Sequence, residues 1–227
     1  MKLKKFLAII MAILMLCLCT GCGDEGYIDS LSTFSVTSRD KIELPSAEKT
    51  TDEESSSSST IAIPNETFGK GTLNGTTYIN NWANLKFDFY GGFENGDSSA
   101  YSSCESAKNT YCGLIAIDNA NKKQLNIIFE ELTGTNTSVT VEEYIEVITG
   151  VLDENYKSMN TPYEFGETFN QTIANENYRS FIVTFSELNY IQHISVRKLD
   201  NYIILITTIA SDSFDSSAIL NNIRTMY

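Results

Sequence analysis

His193 is the only imidazole in a chain of 227 residues, so any acid–base, metal or triad chemistry that needs histidine must be built around it. It stands in Ile191-Gln192-His193-Ile194-Ser195-Val196-Arg197. Alternation along a strand puts His193 on one face with Ser195 and Arg197, which predicts a solvent-facing position. A serine hydrolase would also need its nucleophile on a sharp turn of the G-x-S-x-G type, and the chain has no such phrase. Ser195 and Lys198 match S-x-x-K, but that motif works on a helical turn. On a strand, residues three apart face opposite ways, and the companion K-T-G is missing. No catalytic residue is assigned on these grounds.

The acids come in pairs: Glu130-Glu131, Glu142-Glu143 with Glu146, and Asp153-Glu154. None carries a visible reason for a raised pKa, and a solvated face is expected for the helix acids Glu142, Glu143, Glu146 and Asp153. Asp118-Asn119-Ala120-Asn121 and Glu94-Asn95-Gly96-Asp97 offer oxygen ligands, yet neither has the D-x-D-x-D-G spacing with a distal Glu. Turn chemistry explains both. Cys104 and Cys112, seven residues apart and with one histidine in the whole chain, lack a metal-ligand set. The expectation is therefore no metal and no cofactor. The two cysteines form an even pair, read either as a disulfide or as two buried thiols. A bridge closing so short a loop would stabilise by roughly 2–3 kcal/mol and pin a local turn. Trp82 and the many tyrosines suit either a stacking platform or the core, and the place of Trp82 at a strand entry favours the core.

The N-terminus carries a different chemistry. Lys2, Lys4 and Lys5 precede Phe6 to Cys19, a run with no polar side chain except cysteine. A charged start, an apolar run and then small residues make a secretory signal, and the run is shorter than the roughly 18–20 apolar residues of a permanent span. At its end Cys19-Thr20-Gly21-Cys22 resembles the lipobox of bacterial lipoproteins, in which the cysteine after the small residue is lipidated and becomes the new N-terminus. The departure is at position −3, where Leu is usual and Cys19 stands here. The resemblance assigns Cys22 as the acceptor and residues 1–21 as the signal peptide. It implies a chain anchored by lipid on the extracytoplasmic side of the cell membrane.

Charge restricts the partners. The chain has 16 Lys and Arg against 29 Asp and Glu, a formal net charge of −13. Loss of residues 1–21 would remove three lysines and no acid. With no basic cluster, nucleic acid is excluded as a partner. Residues 22–69 read as a linker. Between Gly23 and Gly69 stand 3 basic and 10 acidic residues and the run Ser55 to Ser59, too few clustered apolar groups to offset the entropy of ordering. A flexible tether of that length reaches on the order of 40 Å.

Residues 70–227 read as one domain. Asn74-Gly75 marks a turn, and Leu85-Lys86-Phe87-Asp88-Phe89 alternates as a half-buried strand. Cys112 to Asp118 and Gln124 to Leu132 form a hairpin across Asn119 to Lys122, while the stretch from Gly91 to Ser103 reads as polar loop. Thr140-Val141-Glu142-Glu143 is a capping box ahead of a helix whose stripe is Tyr144, Ile145, Ile148, Val151, Leu152 and Tyr156. Strand runs follow at Phe165 to Ile173, Tyr178 to Leu188, Tyr190 to Leu199 and Tyr202 to Ile209. A last helix is predicted from Ser213 to Met226, capped by Asp212 or Ser211. Strands in succession with helices set apart give an α+β class, one antiparallel sheet with helices packed on it.

The stretch Gly71 to Phe89, with Tyr78, Asn80, Trp82-Ala83-Asn84-Leu85 and Phe87, resembles the opening phrase of small lipoproteins from low-GC Gram-positive bacteria. The strand at Asn177-Tyr178-Arg179 and the hairpin Val196 to Ile204 fit as well. That group is similar to the Mog1/PsbP-like fold, an α/β/α sandwich. Tyr90 and Phe93 stand where the group has Pro and Trp. The resemblance implies protein-binding or extracytoplasmic roles and no shared catalytic residue. The expected function is a membrane-anchored, non-enzymatic module that binds a protein or cell-wall partner. A small-ligand-binding lipoprotein feeding a transporter and an envelope hydrolase remain open beside it. A shallow apolar patch with a polar rim would favour the binding module, a deep pocket with two carboxylates the hydrolase, and a cleft between lobes the transporter role.

Overall fold

Turn residues and apolar runs lay down the strands in sequence. The computed structural model describes residues 67–158 and 161–226. Asn74-Gly75 falls where expected, between β1 (Thr72–Asn74) and β2 (Thr77–Asn80), with Asn74 opposite Thr77. In β3 (Leu85–Asp88) Leu85 and Phe87 point inward. A short β4 (Glu94–Asn95) and helix α1 (Ser98–Cys104) lead to the hairpin of β5 (Thr110–Asp118) and β6 (Lys123–Glu131). Its turn is held by Asp118, whose carboxylate accepts hydrogen bonds from the Asn121 backbone N–H (3.1 Å) and side-chain amide (2.7 Å). A 3-10 turn at Gly134–Ser138 precedes α2 (Val141–Ser158). Then come β7 (Glu164–Phe165), β8 (Phe169–Ile173), β9 (Glu176–Phe185), β10 (Tyr190–Leu199), β11 (Tyr202–Ala210), α3 (Ser213–Asn221) and β12 (Ile223–Arg224).

Among the described residues these strands make two sheets, antiparallel throughout. The larger has eight strands in the order β4-β5-β6-β11-β10-β9-β7, with β8 also bordering β9; the smaller runs β1-β2-β3-β12. One face of the large sheet, through Ile128, Phe181, Ile194, Val196 and Leu205, packs under α2 by way of Tyr144, Ile148, Leu152 and Tyr156, with Cys104 of α1 beside them. The other face, through Leu114, Ile127, Phe129, Ile204 and Ile206, packs under Tyr78, Leu85 and Phe87 of the small sheet and Ile219 and Leu220 of α3. Covered on both sides, β6 and β11 bury residue after residue instead of alternating. The α+β class and the sandwich of helices about an antiparallel sheet are thus the observed architecture.

The capping box forms as predicted. The Thr140 N–H donates to the Glu143 carboxylate (2.9 Å) and the Glu143 N–H donates to the Thr140 hydroxyl (3.2 Å), and the stripe predicted for α2 is its buried face except for Val151, which is half-buried. Asp212 caps α3, its carboxylate accepting from the Asp215 N–H at 2.8 Å.

Four local readings are corrected. The last helix stops at Asn221, because the Asn222 amide donates back to the Ala218 carbonyl (2.8 Å) and Ile223 is buried opposite Phe87 as part of β12. The polar stretch before Ser103 contains α1, begun by the Asp97 carboxylate accepting from the Ala100 N–H at 2.8 Å. The run from Phe165 to Ile173 is broken into β7 and β8 by Gly166 to Thr168. The small sheet takes the strand at Leu85 away from the large one, so the strands form two sheets and not one.

Candidate functional site

His193 is buried at 2% exposure, against the expected solvent-facing position. The cause is α3, which lies over that face. The Ser216 hydroxyl stands 3.3 Å from His193 Nδ1 and 2.6 Å from the Thr208 hydroxyl. The ring of Phe169 covers another side, 5.5 Å away centre to centre. Nε2 meets no hydrogen-bond partner among the described residues, and burial holds the imidazole down to a pKa of about 4. A neutral, wedged imidazole is a packing element. Ser195 accepts a hydrogen bond from Ser180 on the next strand (2.9 Å), whereas Lys198 reaches the opposite face and donates to the carbonyls of Thr137 (2.7 Å) and Val139 (3.0 Å). The two halves of the S-x-x-K match are kept apart, as the strand reading requires.

Glu130 departs from the expectation that no paired acid has a reason for a raised pKa. It is 3% exposed beneath α2 and accepts a 2.6 Å hydrogen bond from the Tyr144 hydroxyl, and desolvation raises its pKa. Its neighbour Glu131 accepts from Tyr111 on the other face (3.1 Å). Asp153 is held by Lys157 and by the Tyr163 hydroxyl (2.7 Å), and Glu143 by its cap. Asp118 holds a turn, as turn chemistry predicts, whereas Asp97 caps the start of α1. No group of three or more metal-ligating side chains occurs among the described residues. Trp82 is 7% exposed and packs edge-on against Phe68, Phe129 and Tyr202, the core role expected of it. Cys104 and Cys112 are core cysteines of the cluster under α2, and the structure joins them by no bridge. Cys22, the signal segment and most of the linker lie outside the described residues.

Among the described residues a shallow, open cleft of about 350 Å³ lies where the β8–β9 turn meets the end of α3 and β12. Its floor is Ile173, Leu220 and Ile223, all nearly inaccessible; Thr172, Asn175, Asn221 and Thr225 form the rim. The turn is two residues long, and Ala174 and Asn175 both take positive φ (50° and 59°), the backbone a tight hairpin turn needs. That geometry sets Asn175 at the rim. Arg224, exposed on β12, is the lone charged residue of the lining. With no acid and no imidazole in it, the cleft offers contact and hydrogen bonding, not proton transfer. None of these residues was singled out from sequence, since Ile223 and Arg224 read as helix. The one signal available was Asn222, a residue type that often closes a helix.

Fold and cleft together define a layered α+β domain with a shallow, open surface cleft whose exposed lining is mostly polar. No family model matches the chain, and no curated protein matches it. Among solved structures it is similar to the solution structure of cyanobacterial PsbP (CyanoP) from Synechocystis sp. PCC 6803. The identity is 12%, the likeness covers 68% of this chain and 98% of that one, and the TM-score is 0.44. A likeness at that level carries no residue, ligand or partner across. Among the described residues, no helix is long and apolar enough to cross a membrane.

Proposed function

We propose that this chain is a lipid-anchored extracytoplasmic module that binds a protein or cell-envelope partner and catalyses no reaction on it. The supporting observation is the cleft, whose open, mostly polar lining without a carboxylate suits holding a ligand by contact and hydrogen bonding. The anchor is read from Cys22, and the tether from residues 22–69. Net negative charge turns the module away from nucleic acid.

The test is crosslinking from the native membrane with a photoreactive residue at Asn175, followed by recovery of the crosslinked species, with a tether-only control. One stoichiometric partner, lost when Arg224 is reversed in sign, is the expected result. Turnover of an envelope substrate with no partner recovered would replace this reading with the hydrolase.

A further inference from the structure

The cleft lies between two open strand edges. Among the described residues β12 is the end strand of the small sheet, paired only with β3, and β8 borders only β9 in the large sheet. Thr172 and Ile173 of β8 and Ile223 and Arg224 of β12, each on a strand with one side unpaired among the described strands, line the same cleft. An open edge is a template for another extended chain.

The charges around the cleft point to the sign of that chain. Arg224 stands directly opposite Lys86 in the β3–β12 register, so two cations face each other across one ladder rung. Like charges so placed repel. The nearby carboxylate is that of Asp88, which is already taken by Lys86 at 3.2 Å and by the Thr77 hydroxyl at 2.7 Å. No ion pair joins Arg224 among the described residues. Among the described residues two cations, Lys86 and Arg224, thus share the single carboxylate of Asp88 beside the cleft, and Arg224 makes no close ion pair with it.

Resting on the binding-module reading, we infer that the occupant is an acidic peptide segment in extended conformation. It would be added along these edges with its polar groups against the rim of Thr172, Asn175 and Asn221 and a carboxylate on Arg224. Arginine is suited to the last contact because its planar fork meets both oxygens of a carboxylate.

The experiment titrates full-length mature chain carrying Cys22→Ser with a blocked peptide of alternating Asp and Val, following backbone amide shifts. A Lys-Val peptide of the same length and an Asp-Val peptide N-methylated at alternate positions serve as controls. Perturbations at Thr172 to Asn175 and Ile223 to Thr225 are expected with the acidic peptide, at least tenfold weaker with either control. Arg224→Gln, on an exposed side chain, should weaken binding about tenfold with an unchanged melting temperature, and Arg224→Glu should reverse the charge preference. Equal binding of the Lys-Val peptide, or no perturbation of the cleft at millimolar peptide, would overturn the assignment. So would displacement of the acidic peptide by polyglycerol phosphate at stoichiometric concentration, or self-association through the cleft in sedimentation. A native partner that crosslinks at Asn175 while the peptide leaves the cleft unmoved would refute the ligand class and leave the binding module standing.

Discussion

His193 and Glu130 are buried on opposite faces of the large sheet and couple folding to pH in opposite senses. The imidazole is held down from an ordinary 6.5 to about 4 by burial alone. The unfolded chain therefore takes up a proton between those values that the folded chain refuses. Stability falls as pH drops through that window, by about 3 kcal/mol once both limits are passed. His193→Gln should flatten this dependence, read as denaturation midpoints from pH 7 to 4, and an unchanged slope would show that another group carries it. Glu130 works the other way. Its carboxyl is raised above 4.5 by desolvation, so its contribution is full below that value and is lost as pH rises through the raised one. At pH 7 Glu130→Gln should be neutral or stabilising, since the amide oxygen still accepts from Tyr144 and no charge is buried. Tyr144→Phe, which strands the carboxylate, should cost about 1–3 kcal/mol. If both variants lose the same stability by chemical denaturation, the buried-charge account fails. Neither residue could have been read this way from sequence. The alternation around His193 is that of a half-exposed strand, and only the docking of α3, which lies 20 or more residues further on, closes the face.

At the scale of elements, local chemistry was legible and long-range covering was not. The capping box of α2, the hairpin at Asn119 to Lys122 and the bounds of β10 follow from residues within a few positions of each other. The second sheet does not, because β12 is two residues long and exists only through its pairing with β3. The same contrast decides what two glycines do. Gly150 lies in α2 where an added Cβ would meet nothing within 4 Å. Gly150→Ala should therefore stabilise by about 1 kcal/mol through helix propensity. Gly113 sits at the bulge of β5, where a Cβ would stand 2.5 Å from the Tyr78 hydroxyl and 2.7 Å from the Phe129 ring. Gly113→Ala has to push apart the contact between the two sheets and should cost about 1–3 kcal/mol. Thermal melts of the two variants should move in opposite directions; a shift of the same sign in both would mean the spacing between the sheets gives way more easily than this packing allows.

For the whole molecule, the consequence of the proposed anchor is concentration. A cleft of about 350 Å³ is near the small end of ligand sites, which run from roughly 300 to 1,000 Å³, and a short strand addition binds weakly in free solution. Tethering to the surface that carries the partner makes the second encounter intramolecular, with an effective concentration in the millimolar range for a short flexible link. With the proposed anchor in place, a weak site would suffice. Two substitutions separate these contributions. Cys22→Ser should release the chain from membranes, because two acyl chains at ~0.8 kcal/mol per buried CH₂ make dissociation negligible while they are present. It should also reduce partner crosslinking at Asn175 in whole cells by an order of magnitude or more, and leave the peptide affinity of the purified chain unchanged. Arg224→Gln should do the reverse, keeping the chain on the membrane while weakening the peptide. If Cys22→Ser stays in the membrane fraction after a carbonate wash, the anchor is elsewhere. If it is released and crosslinks as well as the parent, the cleft binds tightly enough to need no tether.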